Sequence, residues 1–285
     1  MLWARGCGPA CVPGRVRVCR RLLRRMASVA GGEGGAVGAD VAEATREALR
    51  TVGGKVAAAG AAAGHPARLV AVSKTKPAGQ VEVCYEAGQR HFGENYVQEL
   101  VDKAAVLPRD IRWHFIGHLQ SNKTNAVTSI PNLWVVETVD SAKLATRLNA
   151  GCEKAGRPAE DLLGVMVQVN TSGEESKSGI EPTREAVQEL ARHIRDACPR
   201  LRLVGLMTIG MPDYTCTPEN FQCLARCREY AAEALGMDAA DLELSMGMSG
   251  DYEQAIAMGS TNVRVGSTIF GARSYPEKDA KAQAA

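Results

Sequence analysis

Lys74 ends the apolar run RLVAVSK at residues 68–74 and is placed where a lysine could do chemistry. Side chains alternate along an extended strand, so Lys74 shares a face with Val70 and Val72. On a face turned into a packed interior its ammonium is partly desolvated, and the pKa falls toward the range where the amine is nucleophilic. That environment makes a Schiff-base lysine; a solvated lysine in a surface loop is the alternative. Lys76 lies beyond the run, beside Pro77, and fits the surface reading better. Far along the chain, NVRVGSTIFG (262–271) sets Arg264 between Val263 and Val265, on the face it shares with Asn262 and Gly266. An arginine aimed into an interior needs a partner, because a buried unpaired charge is very costly. That partner is either a carboxylate, with Glu94 and Glu137 as candidates, or a ligand atom that accepts hydrogen bonds. Gly266-Ser267-Thr268 follows at once, a small-residue turn with backbone N–H groups and two hydroxyls. A similar turn, Met246-Gly247-Met248-Ser249-Gly250-Asp251, precedes a helical stretch, and both turns suit a phosphate-like anion.

These residues need a frame, and the pattern of the chain supplies one. Short apolar or β-branched runs read as strands at 68–74, 91–95, 112–118, 133–139, 162–170, 201–210, 242–247 and 262–271. Ala-, Glu- and Lys-rich stretches of helical character separate them, such as PTREAVQELARHIRDA and ENFQCLARCREYAAEALG. Apolar strands alternating with helices imply βα units and a parallel sheet covered on both sides. Eight such units close as a (β/α)8 TIM-type barrel in a single domain, with an extra N-terminal helix predicted from Asp40 to Ala58. A doubly wound open sheet is the rival, but it has fewer strands and often a Gly-rich first turn, and neither GxGxxG nor GxxxxGK[ST] occurs. In a barrel the chemistry gathers where strands end, and the loops after strands seven and eight habitually hold phosphate.

The charge balance is uneven: 34 Lys+Arg against 32 Asp+Glu give a formal net charge of +2, but residues 1–32 hold seven Arg and no acid. The remaining body has 27 bases and 32 acids, which argues against nucleic acid as a partner. No segment offers the ~20 uncharged apolar residues of a membrane span. Of nine cysteines, three lie in the head, no CxxC occurs and no secretory core precedes them, which reads as reduced thiols in an intracellular protein. The expected layout is a disordered or transit-like head at 1–38, a barrel at 39–273 and a flexible tail at 274–285. The Arg-rich head is either an organelle transit peptide or sequence upstream of a working start at Met26. Cytoplasmic localisation, with mitochondrial import as a second destination, follows.

AVSKTKP, FGENYVQE, WHFIGHLQSNK, NTSGEESKSG, GLMTIG, ELSMGMS and GSTNVRVGSTIFG together resemble the pyridoxal phosphate homeostasis protein family, from about residue 40 to 273. That family is a single-domain barrel similar to the N-terminal half of alanine racemase. The resemblance implies pyridoxal 5′-phosphate (PLP) bound as an internal aldimine on Lys74, with phosphate contacts from Ser249, Gly266, Ser267 and Thr268. It also implies Arg264 facing the pyridine nitrogen, with Asn95 and Met246 near the ring. Arginine only donates and stays charged, so it cannot protonate that nitrogen, and the ring becomes a poorer electron sink. Alanine racemases use an arginine there too, but bring a second catalytic base, a tyrosine, on a further domain. Only 14 residues follow Gly271 here, and Tyr275 among them is expected to be solvated.

The expected function is therefore a non-catalytic, monomeric PLP carrier that supplies apoenzymes transiently. A PLP-dependent amino-acid racemase is the alternative, and a Schiff-base aldolase the weaker one. Other signals are demoted. His114 and His118 have zinc-like spacing only on a helix, and here they fall on a strand, so no metal is expected. Cys223 and Cys227 read as a helix face, Thr171 to Gly179 as a mobile loop, and the Asn122 and Asn170 glycosylation matches as chance.

Overall fold

The computed structural model describes residues 37–173, 178–209 and 217–272. Its basis is a closed barrel of eight parallel strands in sequence order. The strands are β1 (Arg68–Val72), β2 (His91–Glu94), β3 (Arg112–Phe115), β4 (Leu133–Val139), β5 (Leu163–Gln168), β6 (Leu201–Met207), β7 (Glu243–Ser245) and β8 (Asn262–Val265). The helices are α1 (Ala39–Ala63), ahead of β1, then α2 (Ala78–Glu86), α3 (Val97–Val106), α4 (Thr124–Thr128) and α5 (Ala142–Lys154). After them come α6 (Arg184–Ala197), α7 (Pro218–Leu235), α8 (Tyr252–Ala257) and α9 (Ser267–Phe270). Local chemistry sets several ends. Thr183 and Ser141 cap α6 and α5 by accepting from Ala186 and Leu144 N–H groups, and Pro218 opens α7. Gly64 and Gly236 take the left-handed conformation that ends α1 and α7.

Register decides which residues face inward. The barrel closes where β1 meets β8, with Val70 level with Arg264 and Ala71 level with Val265. Val72 is level with Gly93, and Gly93 with His114. These alternate positions line the lumen, while Ala71, Phe92, Trp113 and Val265 turn outward into the large core beneath the helices. Each large apolar side chain buried there is worth about 1.5–3 kcal/mol relative to exposure. Among the described residues the lumen holds a small apolar cluster of Val135, Met166 and Met207 besides Val70 and Val72, and buried polar groups line much of the rest.

The order of elements agrees with the sequence reading, and the boundaries need correction. α1 runs five residues beyond Ala58, to Ala63, with Gly64 as its cap. Most strands stop short of their apolar runs: β1 ends at Val72, β3 at Phe115 and β6 at Met207. The largest difference is in NVRVGSTIFG, where the strand ends at Val265 and Ser267–Phe270 form a helical turn. The basic head, most of the tail including Tyr275, and the centre of the Thr171–Gly179 loop lie outside the described residues. No described helix is long and apolar enough to cross a membrane.

Candidate functional site

Lys74 stands two residues past β1, half-buried, at the C-terminal mouth. Its flanks are tightly held. Ser73 N–H donates to Gly93 O at 3.0 Å, and Lys76 N–H donates to Ser73 O at 3.1 Å, closing a turn around Lys74 and Thr75. Thr75 has φ of 61°, a left-handed conformation that a β-branched residue rarely adopts and that costs about 1–3 kcal/mol. Its N–H donates to Glu99 Oε2 at 2.8 Å. On the outer side of the wall, Lys103 Nζ donates to Ser73 O (2.8 Å), Glu94 Oε1 (2.6 Å) and Glu99 Oε2 (3.1 Å). Ser73 Oγ also donates to Glu94 Oε1, at 2.6 Å. Burial pushes the Glu94 carboxyl up to about 7, against the pull of Lys103 and the Ser73 hydroxyl. Lys76 Nζ donates to Ala272 O at 2.5 Å, and burial lowers its pKa.

Arg264 lies across the lumen wall, 4% exposed. Its Nη1 donates to Ser245 Oγ at 2.5 Å and its Nη2 to Thr208 O at 2.7 Å, so it reaches past β7 to the end of β6. Of its two expected carboxylate partners, Glu137 is the one, 3.9 Å away; Glu94 faces outward to Lys103 instead. Glu137 is fully enclosed and accepts from Ser245 Oγ (2.5 Å), Asn262 Nδ2 (3.2 Å) and His114 Nδ1 (2.5 Å). Burial alone would raise its pKa, but the hydrogen bond and field of His114, the charge of Arg264 and the Ser245 hydroxyl hold it below the ordinary carboxylate range. His114 Nε2 is hydrogen-bonded to His91 Nδ1 at 2.9 Å. Burial, then His114, Arg68 and Arg112, drive His91 down to about 3. Further down the lumen Arg68 pairs with Glu243 and stacks on Trp134.

The two glycine-rich turns meet at the same mouth. Gly266 N–H donates to Ser249 Oγ at 3.4 Å, and the Ser249 and Ser267 hydroxyls are 3.3 Å apart. A side chain on Gly266 would stand 3.2 Å from Val72 O, so the turn lies directly against the end of β1. Gly247, with φ of 94°, also has to be glycine, since a Cβ would come within 2.5 Å of the Ala255 methyl. Thr268 is exposed beside Ser267, in the first turn of α9, where N–H groups lack intrahelical acceptors. Asn95 follows β2, and its Oδ1 is a buried acceptor without a hydrogen-bond partner among the described residues. Met246 differs from expectation: its side chain is fully buried in the outer hydrophobic core, and its neighbour Ser245 is the residue that faces the lumen. His118 is exposed at 3.2 Å from Ser178 Oγ, and Cys227 and Cys223 lie along α7.

Sequence reasoning missed His91, Ser245 and Thr208 in the lumen, and Thr75, Glu99 and Lys103 behind Lys74. One signal was available. Leu100, Lys103, Ala104 and Leu107 fall at helical spacing on one face, so Lys103 occupies a core position and requires a buried partner.

A closed parallel barrel with a lysine after its first strand and an arginine within its last defines a class. The family model described as "Alanine racemase, N-terminal domain" matches residues 52–274. The pyridoxal phosphate homeostasis protein of Homo sapiens is 51% identical over 219 residues, covering 74% of this chain and 78% of the relative. The protein of that name from Caenorhabditis elegans is 52% identical over 217 residues, covering 74% and 88%. PipY of Synechococcus elongatus, solved with PLP bound, is 33% identical with a TM-score of 0.62, covering 80% of this chain and 100% of that one. The chain belongs to the pyridoxal phosphate homeostasis protein family.

Proposed function

We propose that this chain binds PLP at the barrel mouth, covalently through Lys74, and serves PLP homeostasis by holding the cofactor and handing it to apoenzymes. The observation that carries the reading is Arg264, a nearly enclosed guanidinium on the strand that pairs with the one leading to Lys74. The donor set fits PLP. Ser249, the Gly266 N–H, Ser267 and Thr268 suit its phosphate, Arg264 suits a ring nitrogen that accepts, and Asn95 Oδ1, a buried acceptor without a partner among the described residues, suits a ligand donor. Bound PLP supplies a reactive aldehyde and an electron-withdrawing ring. Lys74 supplies the amine that meets the aldehyde. Arg264 donates without giving up its proton, and the Ser245, Thr208 and Glu137 contacts hold it in that role. A donor-only arginine at the ring nitrogen makes the ring a poorer electron sink, and the homeostasis name of the relatives supports a carrier reading. Their name and the PLP-bound PipY also favour a carrier over a racemase or an aldolase.

Purified protein is expected to show visible absorbance that borohydride fixes on the Lys74 peptide. Lys74→Ala should lose that label while keeping the barrel folded; a label that persists on Lys76 would move the site. Incubation with L-amino acids should give no D-isomer, keto acid or amine, whereas PLP should pass stoichiometrically to an added apoenzyme. Turnover that disappears in Lys74→Ala would refute the carrier reading. For the Arg-rich head we propose mitochondrial import beside a cytoplasmic pool, tested by fusing residues 1–32 to a reporter; a diffuse reporter is the contrary result.

A further inference from the structure

The turn that carries Lys74 is in a conformation its sequence does not favour. Ser73 to Lys76 form a hydrogen-bonded turn whose third residue, Thr75, has φ of 61°. Glycine or asparagine ordinarily fills such a place, because a branched Cβ is crowded there. A strained conformation persists only when its surroundings over-determine it, and here they can be named. Both backbone flanks of Lys74 are tied to one helix, α3. Lys103 Nζ holds the carbonyl before it, at 2.8 Å, and Glu99 holds the N–H after it, also at 2.8 Å. Glu99 and Lys103 are one helical turn apart and paired at 3.1 Å. Glu94 anchors the ammonium from β2 at 2.6 Å. Lys103 is 6% exposed and Glu94 0%, while the Glu99 side chain is 31% exposed, so the clamp is rooted in the interior and reaches the surface at Glu99. None of these side chains lines the lumen at the level of Arg264, since Glu94 pairs with outward-facing Phe115 in the strand register.

We propose that Glu99 and Lys103 are positioning residues for Lys74: by gripping the turn on both sides they hold it in its strained form and fix where the amine is presented at the mouth. This rests on the PLP-binding reading and specifies how its lysine is aimed. The step served joins Lys74 Nζ to the aldehyde carbon, with the carbonyl oxygen leaving as water, and runs backward when water adds again. A lysine stem has several rotatable bonds, and a loose turn beneath it would spread the amine over many positions. A fixed turn keeps it within reach of one, and misplacement by about 1 Å costs reaction rate heavily.

The test compares wild type, Glu99→Gln, Thr75→Gly and Thr75→Asn as full chains freed of cofactor. The measurements are the rate of absorbance change on adding PLP, the borohydride-fixed label on the Lys74 peptide, and the melting temperature. Thr75→Gly is expected to melt at or above wild type, because the strain is relieved, yet to capture PLP about tenfold more slowly. Thr75→Asn, which tolerates the left-handed conformation, should recover most of the rate. Glu99→Gln should slow capture in the same direction, because it removes the charge that pairs with Lys103 and weakens the hold on the Thr75 N–H. A merely structural clamp would move stability and capture together. Folded Thr75→Gly protein with a wild-type rate would overturn the proposal even if Glu99→Gln fails to fold. Wild type that takes no label on Lys74 would overturn the PLP reading, and the clamp with it.

Discussion

Behind Arg264 the barrel lumen holds one buried charge network, and behind Lys74 the outer wall holds another. In the lumen, Glu137 receives hydrogen bonds from His114, Ser245 and Asn262 and faces the guanidinium of Arg264. Every neighbour favours its charge, and its pKa is held below the ordinary range although it is completely enclosed. Outside the wall, Glu94 has Lys103 and Ser73 on one oxygen only. Its Oε2 is buried without a partner among the described residues, and a second carboxylate, Glu99, is close by. There burial prevails and the carboxyl rises to about 7. Two glutamates with equal burial thus differ by the number and sign of their donors. The network behind the arginine is a fixed charge, and the one behind the lysine can take up a proton near neutrality.

The strongest way to break this contrast is to remove Glu137. Glu137→Ala leaves the Arg264 charge buried without its carboxylate, and breaking a buried pair costs about 3–5 kcal/mol, to be read by urea unfolding. A smaller effect separates the two networks by pH. The folded protein keeps a proton on Glu94 that the unfolded chain, at the ordinary 4.5, has already lost. The stability this contributes is complete below 4.5 and is lost as pH rises through about 7, a change of at most about 3 kcal/mol. Unfolding free energies at pH 5 and pH 8 should therefore diverge in wild type more than in Glu94→Gln, and equal slopes would contradict the raised value. The smallest test compares single hydroxyls. Ser245→Ala and Ser73→Ala should each cost about 1 kcal/mol, but only Ser245→Ala, which frees Arg264 to move, should shift the wavelength of bound PLP.

The alternation of strands and helices carried the fold, because a parallel barrel writes each buried strand as a local apolar run. Strand ends were less legible. Ser-Thr-Ile-Phe is as apolar and branched as many strands, but Gly266 seats against Val72 O and turns the chain into α9. Lys74 and Arg264 were visible as charges inside apolar runs, and Glu137 as one of two possible counter-charges. What separated Glu137 from Glu94 was register: it puts one carboxylate into the lumen and the other under α3, and no local pattern encodes it. Thr75 was hidden for another reason. Threonine is not a left-handed residue, and only the distant grip of Glu99 and the neighbouring hold on Ser73 make it one.

The seam between β1 and β8 gives the mouth a history as well as a shape. A Cβ on Gly266 would crowd Val72, so the turn of Gly266 to Thr268 borders a strand from the opposite end of the barrel sequence. As the chain emerges during synthesis, Lys74 appears early, while its facing arginine and the turn appear only once the eighth strand is made. Until the ring closes, the lysine is an ordinary amine with nothing opposite it. A ligand gripped across that seam is therefore also a bolt on the closure, so occupancy should protect the two end strands from fraying before it protects any other part of the barrel.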